Sequence, residues 1–242
     1  MSIPISRAET YKPYCLPNTL KSILVLSDIH IPYHDNKALR IALEQAKKQK
    51  PEAIILLGDV IDMYMLSHFC KTPTKRSFPN EVKDTIEFLQ HLRNNHKQAK
   101  ILWVNGNHEE RLFKFVQTKS PELIGLDCLS MASLFNLEKL RIEYVTKPIV
   151  YNDLLLIHGS EISGKCSPVN PARSAYQKTL NRVIVGHHHR TSTHTEVSWQ
   201  GKRIESHSVG CLCELTPEYS RINKWNHGFM TIMDGKVDNV VL

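Results

Sequence analysis

Residues 52–62 read EAIILLGDVID. Five apolar residues in a row are too few for a core helix and read as a buried strand. The run ends directly in Gly58 and Asp59, with Asp62 three positions on. The same grammar recurs on both sides. SILVLS (22–27) is followed by Asp28-Ile29-His30, and KILWVNG (100–106) by Asn107-His108-Glu109. Between these runs, 36–50 and 81–97 carry apolar residues at helical spacing, and 108–118 opens a third helix. Strand and helix alternating in this way predict an α/β core with parallel strands.

The second half is richer in strands. LRIEYVT (140–146), DLLLIHG (153–159) and RVIVGH (182–187) are strand candidates, and 170–180 is a helix. Residues 193–210 predict a hairpin turning near Gln200 and Gly201, and GFMTIMDGKVDNVVL a second around Asp234-Gly235. Residues 120–137 read as helical without a sharp period. Residues 1–20, with three prolines, read as an irregular arm before a single domain over 21–242. A substrate-selecting cap would fall within 120–137.

Five strand candidates thus run into Asp, Asn or His at their C-terminal ends: Asp28 and His30, Asp59 and Asp62, Asn107 and His108, His158, and His187-His188-His189. In open α/β sheets the ligand crevice lies outside the carboxyl ends of the strands, so segments far apart in sequence deliver side chains to one place. Mixed carboxylate, amide and imidazole donors suit Mn or Fe, with Zn possible, better than an all-oxygen Ca site. The number of donors points to two ions.

Composition sets the limits. Of 242 residues, 31 are Lys or Arg and 24 are Asp or Glu, a net charge of +7 that suits an anionic partner such as nucleic acid. No apolar stretch is long enough to span a bilayer, and the N-terminus lacks a secretory h-region, so a cytoplasmic protein with no membrane partner is expected. The six cysteines (15, 70, 128, 166, 211, 213) form no CxxC pairs and read as reduced and structural. Nothing in the sequence sets the oligomeric state.

The ordered motifs DIH (28–30), GDVID (58–62), GNHE (106–109), HG (158–159) and GHHH (186–189) resemble those of the calcineurin-like metallophosphoesterases. The resemblance implies an αββα sandwich of two mixed sheets flanked by helices. It implies two divalent ions, Mn foremost, with Fe or Zn as alternatives. One would be held by Asp28, His30, Asp59 and His189, the other by Asp59, Asn107, His158 and His187, with Asp59 bridging. His188 is then a spacer. If the segment is extended, residues 187 and 189 point the same way. By the same resemblance a metal-bridged hydroxide attacks phosphorus, His108 protonates or stabilises the leaving oxygen, and Asp62 orients His108.

Departures from the pattern narrow the substrate. Met63-Tyr64 stand where phosphoprotein phosphatases of this family carry Arg-Gly, and Ile31 replaces a glycine after His30. What remains resembles the bacterial and phage phosphodiesterases and nucleases, with DNA as the expected substrate. A phosphomonoesterase or a cyclic-nucleotide or small-molecule phosphodiesterase is the alternative. Arg111, just after GNHE, and Lys71, Lys75 and Arg76, just after GDVID, are candidate phosphate contacts, with Phe69 or Phe78 available for stacking.

Overall fold

A computed structural model describes residues 5–242 apart from 70, 72–75, 163 and 165–167. In chain order its elements are β1 (Tyr14–Cys15), β2 (Ser22–Leu26), α1 (Asn36–Gln49), β3 (Ala53–Leu56), α2 (Phe78–Asn95), β4 (Lys100–Val104), α3 (Glu110–Lys119), α4 (Met131–Leu134), β5 (Ile142–Val145), β6 (Ile149–Tyr151), β7 (Leu154–Ile157), α5 (Pro171–Thr179), β8 (Arg182–Val185), β9 (Ser192–Val197), β10 (Arg203–Ser208), β11 (Gly228–Met233) and β12 (Lys236–Val241). They form two six-stranded sheets, ordered β12-β11-β2-β3-β4-β5 and β1-β6-β7-β8-β10-β9.

Side-chain alternation explains the layers, because successive residues of a strand face opposite sides. Ile23, Val25, Ile55 and Leu102 point toward the second sheet and pack with its Leu154, Leu156 and Ile184. Their neighbours Leu24, Leu26, Ile54, Leu56 and Trp103 face outward and pack with Ala38, Leu39, Leu89 and Leu92 of α1 and α2. On the far side, Val183 and Val185 pack with Ala175 of α5. The result is the expected αββα sandwich of mixed sheets: β2 to β5 run parallel, while β11 joins β2 and β12 antiparallel.

Local signals set most boundaries. The Asp35 side chain accepts from the Ala38 N–H at 2.7 Å and caps α1. α2 starts at Phe78, three residues before the expected 81, because Pro79 suits a first helical turn. Both hairpins form as expected, with Asp234 and Gly235 at φ +47° and +77° in the second turn.

The helix expected over 120–137 does not form. Two 3-10 turns, Pro121–Leu123 and Asp127–Leu129, precede the four-residue α4. Gly125 at φ +91° interrupts the chain, and the missing apolar period leaves no face to bury. The N-terminal arm ends in a strand, since β1 pairs with β6 and Leu16 is buried. Among the described residues no helix is long and apolar enough to cross a membrane.

Candidate metal centre

The C-terminal ends of β2, β3 and β4 in one sheet and of β7 and β8 in the other open on a single cleft. The chain turns sharply as it leaves these strands. Asp28, His30, Asp59, His187 and His189 all have positive φ, between +51° and +65°. Non-glycine residues rarely adopt this conformation, and it concentrates at functional sites. The segment 187–189 is therefore not extended. His187 and His189 project to different sides of the cluster, which corrects the strand-like expectation.

Asp59 lies at the middle. Its Oδ1 is 3.3 Å from His158 Nε2 and its Oδ2 is 3.8 Å from His30 Nε2. On the first side, His189 Nε2 is 3.1 Å from Asp28 Oδ1 and 3.2 Å from His30 Nε2. On the second, His158 Nε2 is 3.2 Å from Asn107 Oδ1, and the His158 and His187 rings lie 5.2 Å apart. Donor atoms of Asp28, His30 and Asp59, and of Asp59, His158 and His187, lie within 4.8 Å of one another in each group.

Close glycines make room for the cluster. A Cβ on Gly106 would meet Asp59 Oδ1 at 2.3 Å, and one on Gly186 would meet Ser27 Oγ at 2.0 Å.

The donor set fits divalent cations. The two imidazole Nε2 atoms of His30 and His189 converge at 3.2 Å with buried carboxylates beside them, so lone pairs face one another unless a proton or a cation sits between. Burial would raise the Asp28 and Asp59 carboxyls, but the surrounding histidines hold both well below the usual range. Burial likewise opposes a charged His158, yet Asp59 outweighs it and lifts the imidazole to about 10. A cation replaces those protons, so binding one releases them.

His108 is held by its neighbours. Nδ1–H donates to the Asp62 backbone carbonyl at 2.7 Å, and Nε2 accepts from Arg111 Nη2 at 2.8 Å. Burial pulls its pKa down to about 3, so the ring is neutral. Asp62 thus meets His108 through its backbone. Its carboxylate is 3.8 Å from His108 Nδ1, 3.6 Å from Arg111 Nη1 and 3.3 Å from His30 Nδ1, which has no hydrogen-bond partner.

The basic rim residues are engaged with the protein. Arg76 lies between the rings of Tyr33 and Tyr64, at 4.7 and 3.9 Å, and 3.8 Å from Glu218. Lys71 donates to the Ser67 carbonyl and hydroxyl. Lys75 lies outside the described residues. Phe69 is exposed, while Phe78 packs on the core.

Three functional contacts escaped the sequence. Buried Glu109 accepts from the backbone N–H groups of Asp59, Val60 and Gly106 at 2.8–2.9 Å and from Trp103 Nε1 at 3.1 Å, tying the GDVID loop to the GNHE loop. Trp225 packs edge-on against His189 with centroids 4.2 Å apart, and the Asn226 N–H donates to the His189 carbonyl at 2.9 Å. Cys213 Sγ lies 3.6 Å from His189 Nδ1, the ring nitrogen turned away from Asp28. Only Glu109 had a sequence cue, its place beside Asn107 at a helix start. The other two reach the site from more than twenty residues downstream.

The profile of the calcineurin-like phosphoesterases matches residues 21–215, which includes every strand that opens on the cleft. The chain belongs to this family. The calcineurin-like fold and the clustered Asp and His side chains accordingly describe a phosphoester hydrolase suited to a dimetal centre. A curated relative, Gene 54 protein of Mycobacterium phage L5, is 25% identical over 235 residues, covering 89% of this chain and 90% of that protein. Among solved structures, Vacuolar Protein Sorting 29 from Cryptosporidium parvum is similar with TM-score 0.46 and 14% identity, over 92% of this chain and 97% of that one. A dimetal phosphatase from Danio rerio is similar with TM-score 0.45 and 11% identity, over 91% and 96%.

Proposed function

We propose that this calcineurin-like phosphoesterase hydrolyses phosphodiester bonds of DNA, with two manganese ions as cofactor. Asp28, His30, Asp59 and His189 would hold one ion and Asp59, Asn107, His158 and His187 the other. The observation that carries the metal assignment is the division of Asp59, one carboxylate oxygen toward His158 and the other toward His30. When bound, such a pair supplies Lewis acidity to the phosphoryl oxygens and a nucleophile at neutral pH.

The remaining work falls to side chains already in place. Glu109 keeps the Asp59 and Gly106 backbones at fixed separation, so the cluster is preorganised. Arg111, 2.8 Å from His108 Nε2, would turn from that ring to a non-bridging oxygen. That movement uncovers His108 Nε2, which takes up a proton from solvent and passes it to the leaving oxygen, while the Asp62 carbonyl keeps Nδ1–H fixed.

The net charge of +7 supports a nucleic acid substrate, as does the missing phosphoprotein-phosphatase arginine at Met63. A cavity of about 360 Å³, bounded by His30 and Asp62, favours a second reading in which the substrate is a small nucleotide ester. Mn-dependent cleavage of single-stranded and nicked circular DNA tests the proposal. His108→Ala should retain metal and lose cleavage. Intact DNA with rapid turnover of small phosphoesters would move the substrate to the second reading.

A further inference from the structure

The cavity beside the cluster has contents of its own. From His30 and Asp62 it extends past Tyr33, Arg76, Glu218 and Tyr219. Its volume of about 360 Å³ lies at the small end of small-molecule sites, typically ~300–1,000 Å³. One mononucleotide unit fits such a space, and a duplex does not. Because two cluster residues form its inner wall, a group attached to a phosphate at the cluster reaches it directly.

The lining selects the class of that group. Tyr33 and Tyr219 offer aromatic faces, and Tyr219 is 66% exposed at the mouth. Arg76 holds a guanidinium against Tyr33, fixed by Tyr64 and Glu218. Asp62, Glu214 and Glu218 oppose a second phosphate or an acidic peptide. Pro217 supplies too little aliphatic wall for a lipid chain. A neutral, planar, hydrogen-bonding group satisfies these demands at once, since it stacks on tyrosine and exchanges hydrogen bonds with Arg76 and the carboxylates.

We propose that this cavity is a nucleoside pocket that holds the nucleoside carried by the scissile phosphate, with Tyr219 as its stacking platform and Arg76 as its polar anchor. The inference rests on the phosphodiesterase reading and deepens it. The nucleoside belongs either to the end of a DNA strand or to a free nucleotide ester.

Binding separates this idea from turnover. Trp225 lies 6.3 Å from Tyr219, so its fluorescence reports on the pocket. In protein stripped of metal, thymidine should quench it saturably and inorganic phosphate should not. Tyr219→Ala should weaken thymidine binding about tenfold and Tyr219→Phe should preserve it, as expected for base stacking. Absence of thymidine binding, or an equal response of wild type and Tyr219→Ala, overturns the proposal. With manganese present, thymidine 5′-(p-nitrophenyl phosphate) should show a KM about tenfold below that of methyl p-nitrophenyl phosphate, and equal values overturn it. If thymidine binds but neither ester is hydrolysed, the phosphodiesterase reading fails and the pocket assignment stands. Release of mononucleotides from an oligothymidylate identifies the strand end as the source, and turnover of the mononucleotide ester alone identifies the free nucleotide.

Discussion

Glu109→Ala removes a carboxylate shared by four buried donors: the N–H groups of Asp59, Val60 and Gly106 and the Trp103 indole. Alanine leaves a space too confined for free solvation, since Glu109 is 2% exposed. Each donor stranded without an acceptor costs ~1–3 kcal/mol. Against this stands relief of a buried charge, because desolvation first and Asp59 second push the Glu109 carboxyl above its usual range. Taking the low end for each donor gives a loss of about 4 kcal/mol. For a domain of this size that lowers Tm by ~8–16 °C. Glu109→Gln keeps one acceptor oxygen but turns an NH₂ toward the donors, so about half the loss is expected. Thermal unfolding followed by circular dichroism, on metal-free protein, isolates this effect from cation binding. A Glu109→Ala variant melting within about 2 °C of wild type would refute the claim that this side chain holds the two loops together.

Other perturbations reach the site by different routes. Gly106→Ala drives a Cβ to 2.3 Å from Asp59 Oδ1, so metal content measured by elemental analysis should fall by at least half while the circular dichroism spectrum persists. Glu81 is buried, and burial, with Asp62 adding to it, raises its pKa to about 7 against the opposing pull of the Met63 and Tyr64 backbone N–H groups. The folded chain therefore binds this proton more tightly than the unfolded one. The contribution is complete below the unfolded value and is lost as pH rises through about 7, a fall of ~3 kcal/mol. Glu81→Gln should flatten urea-melt stability across that window, and an unchanged slope would count against the buried carboxylate. Chelation by EDTA should lower Tm, since a ligand at a hundred times its Kd stabilises by ~2.7 kcal/mol; a Tm indifferent to EDTA would count against a tightly held centre.

Much of this architecture was legible because strands buried on both faces are continuous apolar runs, and here each of five runs ends in an Asp, Asn or His of the cluster. Helices α1, α3 and α5 could be read from period and flanking residues. Segment 120–137 misled because its apolar residues lack a period, and burial of Phe135 and Leu137 is decided by the neighbouring sheet and not by a helix face. Strand β6 is three residues long and exists through its pairing with β7. Around the cluster, the side chains visible in sequence were those of local motifs. Trp225 and Cys213 meet His189 only because β10 and β11 carry the later chain back across the cleft, and no local pattern encodes such a return. The dyad of Asp62 and His108 was anticipated through a carboxylate, but the chain turns so that the backbone carbonyl is the nearer group.

Metal stoichiometry bears most directly on the centre. Purified protein equilibrated with manganese and freed of excess should hold two ions per chain, and Asp59→Ala should lose both, because each carboxylate oxygen faces a different group of histidines. Two ions retained by Asp59→Ala, or a single ion in wild type, would contradict a binuclear centre bridged at that residue.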